Sequence, residues 1–124
     1  MKILLIEDNP MNTELFRAVL ERDGNVVVHE GSGILGRARA LGESFDLIIS
    51  DIDLPGLDGH AVCRDLREAG IACPIVALTA FAGDEEAARA KASGFDLHLT
   101  KPIGPKALRR AIASLGPTVA GRPS

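Results

Sequence analysis

Short apolar runs alternate with segments of helical periodicity along most of this 124-residue chain. The runs are rich in Val, Ile and Leu, and a continuous run of this length is typical of a strand buried on both faces of a sheet. Strands that alternate with helices in series predict a parallel sheet with helices on both faces, wound by right-handed crossovers. The fold class is therefore α/β, a doubly wound five-stranded parallel sheet. The predicted strands span residues 2–7, 25–30, 45–50, 74–79 and 95–100.

Turn and capping residues separate the predicted helices, and Gly24, Gly70 and Gly94 follow three of them as typical helix stops. The predicted helices span residues 10–22, 34–41, 59–69, 84–92 and 105–115. Apolar spacing predicts which side chains face the sheet. These are Leu15, Phe16, Val19 and Leu20 on the first helix, Ala38 and Leu41 on the second, Val62, Cys63 and Leu66 on the third, and Leu108, Ile112 and Leu115 on the last.

The length fits one domain, which we expect over residues 1–116, with a disordered tail over residues 117–124. Hydrophobic residues make up 46% and charged residues 25% of the chain, the balance of an ordinary globular domain. The formal charge is −3, and the basic residues are scattered, which argues against nucleic-acid binding. No apolar stretch approaches the roughly 20 residues that span a membrane, so we expect a cytoplasmic location. Cys63 and Cys73 have neither disulfide nor metal-site spacing and are predicted to be reduced packing thiols.

Polar residues stand at the ends of four predicted strands. Glu7 and Asp8 follow the first strand and Asp51 follows the third. Thr79 ends the fourth strand and Lys101 follows the fifth. Each alone has an ordinary structural explanation as a helix cap, a strand residue or an exposed lysine. Since the carboxyl ends of parallel strands meet at one edge of the sheet, the five together predict a charge-compensated pocket there.

The chemistry of this pocket follows from its residue types. Three neighbouring carboxylates need a cation to remain ionised together. Oxygen ligands with room for water favour Mg²⁺. A carboxylate can act as a nucleophile towards a phosphoryl group, whose charge a metal ion, a lysine and a hydroxyl then stabilise. The pattern predicts Mg²⁺-dependent phosphoryl transfer to an aspartate.

Four motifs resemble the receiver domain of bacterial response regulators, which has a CheY-like, flavodoxin-like fold. They are EDN (7–9), LIISDIDLPGLDG (47–59), ALTA (77–80) and LTKP (99–102). The resemblance extends to about residue 115. The stretch EDNPMN (7–12) is similar to single-domain receivers of the DivK kind and to receivers attached to hybrid histidine kinases. Whether the chain is a whole protein or an excised receiver stays open.

The resemblance implies that Asp51 is the phosphoacceptor, taking its phosphoryl group from a histidine kinase or a histidine phosphotransferase. It also implies a Mg²⁺ site. Asp8 and Asp51 would bind the ion through their carboxylates, Asp53 through its backbone carbonyl and Glu7 through a water molecule. From its position, Asp58 is expected to cap the third helix instead.

The resemblance further implies a phosphorylation switch. Lys101, which precedes a cis bond to Pro102, would pair with the phosphoryl oxygens, and Thr79 would donate a hydrogen bond to one of them. His98 stands where the family usually has Tyr or Phe. It is either a switch residue or simply an exposed strand residue, and Phe81 is another candidate for the moving aromatic.

The tail is too short to fold into an effector domain, so we expect output through contact with a protein partner, and no binding to nucleic acid or membrane. The helix over residues 84–92 is expected to shift, and with the fifth strand and last helix to form the output face. Met11, off the core face of the first helix, is a candidate docking residue for the kinase.

Three other functions compete with this interpretation. The DxD pattern also resembles haloacid-dehalogenase phosphohydrolases, but their acid pair comes late in the chain and a cap domain is missing here. A nucleotide or flavin module would need a Gly-rich first turn, which is absent. A receiver that only binds would not need the complete pocket. We therefore expect a phosphoacceptor that assists its own phosphorylation and dephosphorylation, and no enzyme with a separate substrate.

Overall fold

The computed structural model describes residues 1–121, with the side chains of residues 1–115, and its strands and helices alternate as predicted. The strands are β1 (Lys2–Ile6), β2 (Val26–Glu30), β3 (Leu47–Asp51), β4 (Ile75–Thr79) and β5 (Leu97–Thr100). The helices are α1 (Pro10–Arg22), α2 (Gly33–Gly42), α3 (Gly59–Glu68), α4 (Asp84–Ser93) and α5 (Pro105–Gly121). Helix α5 continues beyond its predicted end at residue 115. Residues 122–124 of the predicted tail lie outside the described residues, and disorder of the tail stays a prediction.

All five strands are parallel, in the order β2-β1-β3-β4-β5. Strand β1 pairs with β2 on one side and β3 on the other, so the direction of winding reverses between β1 and β3. The loops that follow these two strands leave towards opposite faces of the sheet and open a cleft at its carboxyl edge. Ile6 pairs with Ser50, which brings the ends of β1 and β3 side by side.

The core has two layers, one on each face of the sheet. Alternate side chains of β1 divide between them, since successive strand residues point to opposite faces. One layer contains Ile3 and Leu5 and packs against α1 and α5, while the other contains Leu4 and Ile6 and packs against α2, α3 and α4. A strand covered on both sides in this way must be apolar along its length, which explains the continuous runs in the sequence.

The predicted inner face of α1 is correct except at Leu15, whereas that of α2 is wrong. Leu15 is 44% exposed because it lies at the margin of the stripe formed by Phe16, Val19 and Leu20. On α2, Ala38 is exposed and Leu41 is 51% exposed. The residues that α2 buries are Gly33, Gly36 and Ala40.

The reason for the error on α2 is its close approach to the sheet. A Cβ atom at Gly36 would lie 2.5 Å from Cδ1 of Ile6. The helix therefore packs through its smallest residues and leaves larger apolar ones exposed. Apolar periodicity predicts the opposite, because it assigns the larger apolar residues to the buried face. The predicted inner faces of α3 and α5 are confirmed, with Val62, Cys63, Leu66, Leu108 and Leu115 buried and Ile112 half-buried.

Side-chain caps fix the helices that border the cleft. Oδ1 of Asn9 accepts hydrogen bonds from the backbone N–H groups of Met11 and Asn12 at 2.9 and 3.1 Å, so Asn9 and not Asp8 caps α1. Oδ1 of Asp58 accepts from the N–H of Ala61 at 2.9 Å, which confirms the predicted cap of α3. These caps leave the Asp8 carboxylate available to the cleft.

Helix α4 buries few side chains and makes a buried polar contact with α3. It buries only Ala90 and Ser93. Nδ1 of the buried His60 lies 2.8 Å from Oγ of Ser93, whose hydroxyl donates to the carbonyl of Arg89 at 3.0 Å. Because the Ser93 hydroxyl already donates its proton to Arg89, Nδ1 of His60 must be the donor to Ser93. Burial is the main cause of a lowered pKa at His60. The rings of His60 and Phe95 also pack in a T-shaped arrangement at a centroid distance of 6.0 Å.

Candidate phosphoacceptor site

Three carboxylates meet in the cleft between β1 and β3. One oxygen from each of Glu7, Asp8 and Asp51 lies within 4.8 Å of the others. Glu7 is fully buried, Asp51 is 4% exposed and Asp8 is exposed to solvent. Glu7 and Asp8 directly follow β1, and Asp51 is the last residue of β3. The structure thus brings together the three acids that the strand ends predicted, at the point where the winding reverses.

Lys101 supplies the positive charge of the cleft. Its Nζ donates to Oδ2 of Asp51 at 2.7 Å and to Oε1 and Oε2 of Glu7 at 3.1 and 3.2 Å. The backbone N–H of Lys101 donates to the carbonyl of Thr79 at 2.7 Å, and the bond to Pro102 is cis, as expected. Lys101 follows β5 and therefore reaches Asp51 of β3 across the end of β4.

The charges within the cleft do not balance. Burial, and after it the neighbouring Asp51 carboxylate, raise the pKa of Glu7 and together outweigh the hydrogen bonds from Asn12 and Lys101 that favour the ionised form. Burial lowers the pKa of Lys101, but its hydrogen bonds to Asp51 and Glu7 prevail, so the net shift is upward and the ammonium stays protonated at neutral pH. One ammonium against three carboxylates leaves an excess of about two negative charges when all are ionised. A divalent cation would therefore balance the net charge of the site.

The donor set fits Mg²⁺. Its ligand atoms are all carboxylate oxygens, and the exposed Asp8 leaves the site open to water, which Mg²⁺ retains in protein sites. Asp53, two residues beyond Asp51, lies at the mouth of the cleft with an exposed side chain. Its backbone N–H donates to Oδ1 of Asp51 at 3.0 Å. Asp51 thus accepts one hydrogen bond on each of its oxygens, which fixes the orientation of its carboxylate.

The predicted switch residues lie beside the cleft in different environments. Thr79 is fully buried, and its Oγ1 accepts from the backbone N–H of Phe81 at 3.1 Å. The Phe81 side chain is 60% exposed. His98 is half-buried, and its Nε2 is enclosed without a hydrogen-bond partner among the described residues. Leu97 and Leu99 pack towards α1 and α5, so His98 points to the opposite face of the sheet, the side of α4.

The structure adds two residues that sequence reasoning missed. Nδ2 of Asn12 donates to Oε1 of Glu7 at 2.9 Å, and Nε2 of His29 lies 2.7 Å from the backbone carbonyl of Glu7. The sequence held no clear signal for Asn12, because a polar residue in the first turn of a helix is ordinary. His29 lies on β2, and only the pairing of β1 with β2 brings it to the site. Met11, the predicted docking residue, is 79% exposed on the same turn of α1.

Comparison with known proteins identifies the family. The sequence profile of the response regulator receiver domain matches residues 3–113, so the chain belongs to that family. It is 34% identical over 116 residues to the sensor histidine kinase GacS of Pseudomonas protegens, covering 90% of this chain. It is 37% identical over 103 residues to the probable transcriptional regulatory protein SilR of Salmonella typhimurium, covering 83% of this chain and 45% of that protein. The chain spans only 10 to 13% of the length of the sensor proteins it matches, GacS and BvgS among them.

Solved structures agree with this assignment. The receiver domain of a sensor histidine kinase from Pseudomonas aeruginosa superposes with a TM-score of 0.83 at 35% identity, covering 91% of this chain and 94% of that one. That structure has a magnesium ion coordinated in its active site cleft. A chemotaxis response regulator of Vibrio cholerae superposes with a TM-score of 0.88 at 27% identity, covering 92% and 97%. The predicted CheY-like fold is confirmed.

Membership of this family defines the general function. Receiver domains bind Mg²⁺ at an acidic pocket, interact with histidine kinases and phosphotransfer proteins, and accept a phosphoryl group in two-component signalling. The chain is such a phosphoacceptor domain. The matches include receivers of hybrid kinases as well as of regulators, so the DivK-like subtype stays a prediction. Within residues 1–121, no helix combines the length and the apolar character needed to cross a membrane.

Proposed function

We propose that Asp51 is the phosphoacceptor, and that the phosphoryl group comes from the phosphohistidine of a histidine kinase or histidine phosphotransferase. The observation that carries this proposal is the 2.7 Å pairing of Asp51 with Lys101 inside a cluster of three carboxylates. Asp51 is the acid that both Lys101 and the backbone of Asp53 orient. A fixed, desolvated carboxylate beside a lysine is suited to attack a phosphoryl group, because its orientation is already determined.

The same residues are proposed to hold Mg²⁺. The carboxylates of Asp8 and Asp51 and the backbone carbonyl of Asp53 would bind it directly, and Glu7 would bind through a water molecule. When bound, Mg²⁺ supplies positive charge to the phosphoryl oxygens and offsets the repulsion between the carboxylates.

In the proposed step, an Asp51 carboxylate oxygen forms a bond to phosphorus while the bond from phosphorus to the histidine nitrogen breaks. The electron pair of that bond stays on the departing imidazole. The Lys101 ammonium moves from the carboxylates to the phosphoryl oxygens. The Thr79 hydroxyl donates a hydrogen bond to one of those oxygens. Water later reverses the modification, so we propose no turnover of a separate substrate.

Movement of Thr79 is proposed to carry the signal away from the cleft. Oγ1 of Thr79 now accepts from the N–H of Phe81, and turning towards the phosphoryl group breaks that bond and frees the loop before α4. Helix α4 buries little, so it can shift at small cost. The enclosed ring of His98 lies on the side of the sheet that α4 covers, which supports His98 as the residue that follows this shift, ahead of the exposed Phe81.

The partners of the domain are proposed from the same features. The surface of α4, β5 and α5 is the proposed output face for a downstream protein, and Met11 on α1 is the proposed contact for the phosphodonor. The domain is proposed to comprise residues 1–116. Its cytoplasmic location stays a prediction, and a receiver excised from a hybrid histidine kinase stays the alternative.

The phosphoacceptor assignment can be tested with a small acyl phosphate and Mg²⁺, followed by intact-mass measurement. The wild-type protein should gain about 80 Da, the mass of one added phosphoryl group, as an acid-stable and base-labile modification. Asp51→Asn should gain nothing. Asp58→Asn is the matched control, because Asn caps a helix as well as Asp does, and it should be phosphorylated like the wild type.

An equal mass gain by Asp51→Asn would contradict the assignment. The same phosphorylated sample can be examined by NMR, where the ring signals of His98 should shift if it follows the switch. Unchanged His98 signals would remove it from the switch and leave Phe81 as the candidate.

A further inference from the structure

The buried carboxylate of Glu7 is held by two side chains, and one of them is shared. Lys101 donates to both of its oxygens but also to Asp51, with the shortest distance to Asp51. The other side chain, Asn12, donates from Nδ2 to Oε1 of Glu7 at 2.9 Å. Among the residues described, Asn12 is the one neutral side chain that donates to this carboxylate.

Asn12 is itself fixed in place. Its backbone N–H donates to Oδ1 of Asn9 at 3.1 Å, so it belongs to the capped first turn of α1. Its side chain is half-buried and points to the cleft.

The chemistry of an amide suits this position. A lysine or arginine here would compete with a cation for Glu7, and an aspartate would add a fourth negative charge to the cleft. An amide donates a hydrogen bond without changing the net charge. It therefore orients the carboxylate and leaves its charge available to a cation.

We propose that Asn12 is a positioning residue that keeps the Glu7 carboxylate aimed at the cation site while Lys101 turns to the phosphoryl group. This inference rests on the proposed function of the cleft. As Lys101 moves towards the phosphoryl oxygens, Glu7 loses the donor that it shares with Asp51 and keeps the hydrogen bond from Asn12. Asn12 thus acts on the reaction through Glu7 and touches neither the phosphoryl group nor the metal ion.

The test is the dissociation constant for Mg²⁺ alone, measured by calorimetric titration of the unphosphorylated protein. Asn12→Ala should bind Mg²⁺ about tenfold more weakly than the wild type, the effect of losing a hydrogen bond to a charged group. The ¹³C signal of the Glu7 side-chain carboxylate should shift in the same variant. Asn25→Ala is the matched control, because it also loses an amide hydrogen bond, to the carbonyl of Leu20, but lies away from the cleft.

The outcomes separate the two proposals. Mg²⁺ binding by the wild type with an unchanged constant in Asn12→Ala overturns the role of Asn12 and leaves the proposed function intact. A weakened constant with an unchanged Glu7 carboxylate signal also overturns it, because the effect would then not act through Glu7. No Mg²⁺ binding by the wild type overturns the proposed function itself. Circular dichroism of Asn12→Ala should show a folded protein, which keeps the comparison valid.

Discussion

Gly59 offers a sharp test of how the fold positions Asp51, the proposed phosphoacceptor. It is the first residue of α3, and it lies against the backbone that carries Asp51. A Cβ atom added there would lie 2.3 Å from the carbonyl oxygen of Asp51 and 2.7 Å from Cα of Ile52. Contacts of a Cβ atom below 3.0 Å are essentially never found and ordinary ones begin at 3.4 Å, so Gly59→Ala requires α3 and the end of β3 to separate by about 0.7 to 1.1 Å at this contact. Both contacts are with backbone atoms, which no rotamer change can relieve.

The expected effects follow from that displacement. Overpacking of this kind costs about 1 to 3 kcal/mol of folding free energy. For a domain of this size, the melting temperature should fall by roughly 5 to 10 °C. A displacement of about 1 Å at a reacting group can lower a rate about 100-fold, so phosphorylation by a small acyl phosphate should slow by up to that factor.

Gly42→Ala is the matched control for this substitution. Gly42 ends α2, and a Cβ atom there would meet no heavy atom within 4 Å. Replacing it should leave phosphorylation unchanged and stability equal or slightly higher, because Ala favours a helix over Gly by about 1 kcal/mol. Thermal unfolding and the rate of mass gain should be measured for both variants. If Gly59→Ala matched Gly42→Ala in both measurements, the argument from close backbone contact would be refuted.

Two further predictions concern the cleft and its rim. Burial raises the pKa of Glu7, so the folded protein binds the proton of this carboxyl group more tightly than the unfolded chain does. Without metal, the stability of the wild type should therefore fall as the pH rises from about 4.5 through the raised pKa. The stability of Glu7→Gln, which has no proton to lose at this position, should not show this fall. Denaturant titrations between pH 4 and 8 with a chelator should show this, and a difference that stayed constant or changed in the opposite direction would contradict it. Met11→Glu should slow phosphoryl transfer from a phosphohistidine protein about fivefold or more while sparing transfer from a small acyl phosphate. Leu41→Glu, on an exposed position of α2, is the control, and equal rates for both variants with the protein donor would argue against docking at Met11.

The sequence determined the order of the elements and the composition of the site. The central strands β1, β3 and β4 are covered on both faces, so their runs of apolar residues can be recognised without the structure, as in residues 45–50. The acids and the lysine stand immediately after strands, and the geometry of a parallel sheet brings such positions to one edge. Local information was therefore enough to nominate Glu7, Asp8, Asp51 and Lys101.

The tertiary structure decided features that depend on distances between elements. It placed Gly36 of α2 against Ile6, so that the helix packs by its small residues and exposes Leu41. It also placed His29 and Asn12 around Glu7, and His60 of α3 against Ser93 of α4. Such contacts depend on how closely each element approaches its neighbours, a quantity set by the packing of the whole core and absent from any local pattern. The sequence alone was enough to identify the residues proposed to react, whereas the residues that hold them in position could be identified only from the packing of the strands and helices.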